Sequence, residues 1–230
     1  MGIINNKMAN RTPFAPNEWY HCYTRGVDKR RVFENTSDYE RFLQLLYLCN
    51  SDPATKRSDL LHATTATVMA RERGEPMVAV GAYCLMPNHF HLLLKEKAEG
   101  SISQFMRKVG ISYAMYFNIK RERVGNVFVR PFRSKHVADD LYFRRVVQYI
   151  HLNAADLYNT AWKQCGTKSL KKLERQLQQY RYSSMWDYTL MTRPERAILD
   201  TSAFNLIKDG LPPLATLLAE AISYHAEMSR

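Results

Sequence analysis

Tyr83-Cys-Leu-Met-Pro-Asn-His-Phe-His-Leu-Leu-Leu94 holds two apolar runs hinged on Pro87-Asn88, and its reading decides the fold. Pro fixes φ and lacks an N–H, while Asn tolerates turn geometry, so the pair predicts a sharp turn between two strands. Side chains alternate across a strand, which sends His89 and His91 to one face and Phe90 and Leu92 to the other. Two imidazoles about 7 Å apart on one sheet face form a two-point grip on a divalent ion. The plainer reading, two polar residues on a wet face, is not excluded by the spacing alone. Structural zinc is disfavoured, because Cys84 is the only nearby cysteine and the chain has no Cys-x-x-Cys. Two histidine ligands leave most of a metal's coordination sphere open, which suits catalysis better than structure.

The 230 residues suffice for one sizeable core. Lys and Arg number 33 against 22 Asp and Glu, a net charge of +11, so a polyanion is the expected partner, nucleic acid before membrane. No apolar run reaches the ~18 residues of a membrane span. Residues 1–10 lack the hydrophobic stretch of a secretory signal. Cys22, Cys49, Cys84 and Cys165 are scattered, which predicts a reducing compartment and a cytoplasmic location.

Outward from the hairpin, Trp19–Arg25 is rich in aromatic and β-favouring residues and predicts a first strand ended by Gly26. His21 shares a face with Trp19 and Tyr23; beside the His-Phe-His strand it could be a third ligand, or simply a polar strand residue. Ser37 and Glu40 fit a capping box ahead of the helical spacing of Tyr39, Phe42, Leu43, Leu46 and Tyr47. Residues 51–76 lack sustained periodicity and read as an insertion. Ser101-x-x-Gln104 predicts a second cap, before an apolar stripe of Ile102, Phe105, Met106, Val109, Tyr113, Tyr116 and Phe117. Val127–Val137 predicts a fourth strand, irregular at Pro131. Asp139-Asp140 starts a helix running to Asn153. This order predicts an α+β fold, a ferredoxin-like two-layer sandwich with an antiparallel sheet, helices on one face, and His89 and His91 on the open face. Residues 1–188 would form this unit and 189–230 a mainly helical tail, broken at Pro212-Pro213.

The last core helix carries Tyr149-Ile-His-Leu-Asn153. Residues four apart share a helix face, so a Tyr149 phenol could act as nucleophile while the Asn153 carboxamide reaches the same metal. Attack by tyrosine on a phosphodiester conserves the bond in a phosphotyrosine link, so the strand can be rejoined as well as cut. Most of the 14 tyrosines must be structural, and Tyr142, earlier on roughly the same face, is a rival.

Tyr20-His-Cys-Tyr-Thr-Arg-Gly26, Tyr83–Leu94, Ser112-Tyr-Ala-Met-Tyr-Phe-Asn118 and Tyr149-Ile-His-Leu-Asn153 occur in that order. Together they resemble the IS200-like tyrosine transposase family in its REP-associated branch, over about Trp19 to Tyr188. Met-Pro-Asn-His-x-His is the distinctive piece. The resemblance implies a single-strand DNA endonuclease and transferase with His89 and His91 as metal ligands and Tyr149 as the catalytic tyrosine. Asn153 takes the place of a polar third ligand that is Gln in many relatives. It further implies Mg²⁺ or Mn²⁺, cleavage near the foot of a DNA hairpin, a 5′-phosphotyrosine intermediate, and either a monomer or a homodimer. Ala154-Ala155 follows Asn153 where relatives commonly have Asn-Pro, and the 51–76 insertion is longer than the family pattern.

Basic residues crowd two segments, 120–145 and 163–181. Such clusters usually form solvated faces. With Phe128, Phe132, Tyr142 and Phe143 interleaved, they could equally track a phosphate backbone and stack unpaired bases; Arg130, Arg133, Lys135, Arg144 and Arg145 are the candidate DNA contacts. Two other readings stand beside the transferase: a domesticated DNA-binding regulator that has lost cleavage, and a metal-dependent phosphoesterase that uses water.

Overall fold

The computed structural model describes residues 13–51, 63–164, 167–188, 193–207 and 210–228. Four strands, β1 (Trp19–Arg25), β2 (Val78–Met86), β3 (His89–Glu96) and β4 (Arg133–Val137), form one antiparallel sheet in the order β2-β3-β1-β4. The fold is α+β, as the order of elements predicts. Pro87-Asn88 joins β2 to β3 as expected, with Met86 paired to His89. The turn is docked as well as tight: the Pro87 carbonyl accepts from the N–H of Val32 and of Phe33, and the Asn88 carbonyl from that of Gly26. Residues 52–62 of the expected 51–76 insertion lie outside the described residues; a short helix α2 (Thr65–Met69) lies within them.

Helices α1 (Thr36–Leu48) and α3 (Ser101–Lys120) cover the sheet face that carries Phe90 and Leu92. Phe42 packs 4.8 Å from Phe90 and 5.1 Å from Tyr113, and Phe90 packs 5.2 Å from Phe128, ring centroid to centroid. Both predicted caps are displaced. In α1 the cap is Asn35, whose side chain accepts from the N–H of Asp38, and Asp38 in turn accepts from the N–H of Glu34. At α3 the capping group is the buried carboxylate of Glu96, which accepts from the N–H groups of Gly100 and Ile102 and from the Ser101 hydroxyl. A carboxylate from the preceding strand satisfies the helix's first donors and suits the positive end of its dipole.

The expectation of helices on one face needs correction. Helix α4 (Asp140–Leu152) lies on the opposite face, the one expected to be open, with Phe143 packed 4.9 Å from Trp19. The reason lies in the sequence of that face: Trp19, Ala82, Cys84 and Leu93 are apolar and buried, so it too needs a cover. Trp19 approaches so closely that a Cβ at Gly81 would stand 2.9 Å from its ring. The fourth strand is shorter than predicted, because residues 127–132 contribute only a single bridge, Gly26 to Phe128.

The outer edge of β2 is covered by the chain after α4. Leu85 donates to the Tyr182 carbonyl, Ser184 to that of Tyr83, and Asp200 to that of Val80. This leaves no bare ladder for another chain to pair with along those residues. The cover is locked by Arg193, whose guanidinium donates to both Asp187 carboxylate oxygens at 2.8 and 2.9 Å, to the Tyr83 hydroxyl, and to the Ser183 and Arg181 carbonyls. Asp187 is fully buried. Breaking such a pair from one side strands the other charge, so Asp187→Ala is expected to lower stability by about 3 kcal/mol. Urea unfolding measures this, and a change below about 0.5 kcal/mol would show that the ion pair does not hold the edge segment.

Beyond it, α5 (Thr167–Gln178), α6 (Met185–Tyr188), α7 (Thr201–Leu206) and α8 (Leu214–Met228) complete the chain. Phe204 of α7 packs 4.7 Å from Tyr188. No helix among the described residues is long and apolar enough to cross a membrane.

Candidate active site

Strand register assembles the site. Pairing of β1 with β3 sets Tyr23 opposite His91 and Arg25 opposite His89, and pairing with β4 sets Lys135 opposite His21 and Arg133 opposite Tyr23. Partners in a ladder share a face, so His21, Tyr23, Arg25, His89, His91, Arg133 and Lys135 all point toward α4. Helix α4 is anchored by Phe143, Val146, Val147 and Ile150, which are buried. That orientation leaves Tyr149 at the helix margin, 52% exposed, with its ring edge-on to His21 at 5.7 Å and to His91 at 5.8 Å. Tyr142, the rival, lies elsewhere on the helix, under the Lys135 ammonium at 5.2 Å.

The two histidines of β3 are held alike. His91 Nδ1 is 2.8 Å from His21 Nε2, and His89 Nδ1 is 2.7 Å from Asn88 Oδ1. Each ring is thus tethered through Nδ1, which leaves both Nε2 atoms as the candidate ligating atoms. Tethering of the second nitrogen is the usual arrangement around a metal-binding histidine. Burial lowers the pKa of His89 and, more strongly, that of His91, where His21 and His89 add to the effect. Burial, then Lys135, lowers His21 to about 4. All three rings are therefore neutral at pH 7, the form that ligates.

Asn153 closes α4 and donates through Nδ2 to the Tyr149 carbonyl at 2.7 Å, so its oxygen is the end available to a metal. Among the described residues, no group of three or more His, Cys, Asp or Glu side chains could hold a metal. The candidate donor set is two imidazoles and a carboxamide. It fits Mg²⁺ or Mn²⁺ used with substrate, since Mg²⁺ ordinarily keeps waters and takes the remaining oxygens from phosphate. His21, weighed from sequence as a third ligand, instead spends its Nε2 on His91.

Burial raises the Tyr149 pKa, Asn153 opposes the shift, and Tyr23 and Asp156 add to it. At neutral pH the phenol keeps its proton.

Of the candidate DNA contacts, Arg133 and Lys135 stand on the histidine face, and Arg130 is exposed just before it. Arg145 is exposed one turn before Tyr149. Arg144 turns to the C-terminal side, where its Nε donates to the Leu206 carbonyl at 3.2 Å. Sequence reading missed Arg25, Tyr23 and Asp156. Tyr23 stacks on His91 at 5.5 Å, and the alternation that placed His21 also places Tyr23 and Arg25. Asp156, which accepts from Trp162 Nε1 at 3.0 Å, lies past the end of the predicted helix, where periodicity gave no signal.

Comparison with known proteins gives a match to a family model and to a solved structure. Residues 57–153 match the model of the IS200-like transposases. A solved REP-associated tyrosine transposase, bound to a REP hairpin, is similar with a TM-score of 0.49 and 12% identity, over 84% of this chain and 94% of that one. Among curated proteins, no sequence matches. The family match takes in the whole β2–β3 hairpin with His89 and His91, and it ends on Asn153 just after Tyr149. With the strand and the helix that build the site both inside it, the chain is similar to the IS200-like transposases over this stretch.

Proposed function

We propose that this protein is a transposase that cuts and rejoins single-stranded DNA through Tyr149, at hairpin-bearing sequences of the REP type. The observation that carries the reading is the convergence of the Tyr149 ring on His21 and His91, from a helix crossing the histidine face. In the cutting step the Tyr149 oxygen attacks the scissile phosphorus. The phenol gives up its proton, the bond from phosphorus to the 3′ oxygen breaks, and that oxygen leaves as a protonated 3′-hydroxyl. The 5′ phosphate stays on Tyr149, and attack by a 3′-hydroxyl reverses the step and joins strands. Mg²⁺ or Mn²⁺ held by His89, His91 and Asn153 would polarise the phosphate and stabilise charge as it develops. Phe143 and its buried neighbours fix α4 on the sheet, so the phenol is held at the histidines before DNA arrives, which reduces the entropy lost on reaching the reactive geometry.

Arg25, Arg130, Arg133, Lys135 and Arg145 would track the backbone of the bound strand. With five phosphate contacts at a slope of about −0.7 each, affinity should fall on the order of 10²-fold between 50 and 200 mM salt. Fluorescence anisotropy with a hairpin-bearing single strand measures this. Arg133→Ala should weaken binding to all single strands alike and make the slope shallower by about 0.7. A salt-independent affinity, or blunt duplex competing as well as the hairpin strand, would contradict the proposed binding face.

A further inference from the structure

We propose that His21 is a positioning residue that selects the tautomer of His91 and so makes its Nε2 a metal ligand. The inference rests on the metal reading above and concerns a residue outside the ligand set. His21 Nε2 and His91 Nδ1 are 2.8 Å apart, buried, and their rings stack at 5.0 Å. A hydrogen bond between two ring nitrogens contains one proton, and two arrangements are open to a neutral pair. In one, His21 Nε2–H donates to His91 Nδ1. His91 then carries its own proton on Nε2 and presents an N–H to the position a cation would take, which repels it. In the other, His91 Nδ1–H donates to His21 Nε2, and His91 Nε2 is a bare lone pair. Only the second arrangement binds a metal, and it requires His21 to keep its proton on Nδ1 and accept at Nε2.

The surroundings of the pair hold it in place. His21 is set by strand register between Lys135 on β4 and Leu93 on β3, and is only 8% exposed. Tyr23 packs against both rings, tilted at 5.0 Å from His21 and stacked at 5.5 Å from His91. His91 therefore has little freedom to turn Nδ1 toward another partner. His89 has an equivalent support that needs no tautomer choice on the partner's side: the Asn88 Oδ1 is an acceptor only, so His89 Nδ1 must donate. In this reading the site uses a carbonyl oxygen to fix one ligand and a histidine to fix the other.

The experiment uses the full-length chain with ¹⁵N-labelled histidine. In metal-free wild-type protein, long-range ¹⁵N–¹H correlations are expected to show His91 protonated at Nδ1. Mn²⁺ titration followed by electron paramagnetic resonance should then show a dissociation constant raised about 10- to 100-fold in His21→Leu, which offers no acceptor. His21→Gln can accept through Oε1, and should recover the affinity to within about threefold of wild type together with the Nδ1–H signature. A role in packing alone predicts equal losses in both variants. Two results would overturn the inference: wild-type His91 protonated at Nε2, or His21→Leu binding Mn²⁺ as tightly as wild type. Should His21→Leu not fold, the wild-type tautomer and the His21→Gln affinity still decide. Failure of wild-type protein to bind Mn²⁺ would overturn the metal reading itself and the positioning role with it. Binding by wild type that His21→Leu leaves untouched overturns the positioning role alone.

Discussion

Tyr149→Phe is expected to fold, bind hairpin-bearing single-stranded DNA with wild-type affinity, and cut it at least about 10³-fold more slowly, as nucleophile deletions do. The substitution removes one oxygen from a ring that is 52% exposed, so little packing is lost. Its edge-on contacts with His21 and His91 survive, because they are made by the ring. A phosphoesterase that uses water would keep cutting in this variant, so near wild-type cleavage would remove the tyrosine mechanism. Tyr142→Phe is the control: its ring lies with Lys135 rather than with the histidines, and cleavage should persist. A dead Tyr142→Phe beside an active Tyr149→Phe would move the chemistry to the other end of the helix face.

His89→Ala is expected to reduce cleavage in Mg²⁺ at least about 10²-fold with little loss of stability. His91→Ala should lose as much activity, and should also cost about 2 kcal/mol of stability. The two differ because His91 is 5% exposed and bonded to the buried His21, whereas His89 stands half-buried at the turn. Removing His91 leaves a cavity and an unpaired imidazole nitrogen; removing His89 leaves only the Asn88 side chain to rehydrate. Thermal unfolding alongside a cleavage assay separates the effects. Cleavage by His89→Ala within about threefold of wild type would argue that no metal is needed at the hairpin.

The difference between the two histidines shows where sequence legibility ended. Alternation in His89–Lys95 correctly put both imidazoles on one face, and the helical spacing from Asp139 gave α4 and the shared face of Tyr149 and Asn153. Alternation says nothing about what covers a face. Trp19 and Leu93 on the histidine face, and the uninterrupted burial of β2, were the signs that it would not stay open. The displaced caps have a similar cause. Ser37 and Ser101 match the local pattern, but Asn35 and the strand-borne Glu96 compete for the same N–H groups and win through tertiary geometry. Cover for the β2 edge was equally invisible, since residues 182–184 and 200 reach it from about a hundred residues away. Arg25 and Tyr23 were within reach of the alternation argument; Asp156 was not, because the turn after α4 has no period.

The central claim is that the Tyr149 oxygen becomes bonded to the 5′ phosphate at the cut. The most direct measurement is peptide mass spectrometry of the protein–DNA adduct, trapped on a hairpin-bearing single strand whose released fragment, the one that ends in the 3′-hydroxyl, is too short to stay paired and rejoin. The account predicts a nucleotide 5′-phosphate mass on the peptide that contains Tyr149, and none on the peptide that contains Tyr142. A modified Tyr142 or Tyr23, or cleavage with no adduct at any tyrosine, would contradict it.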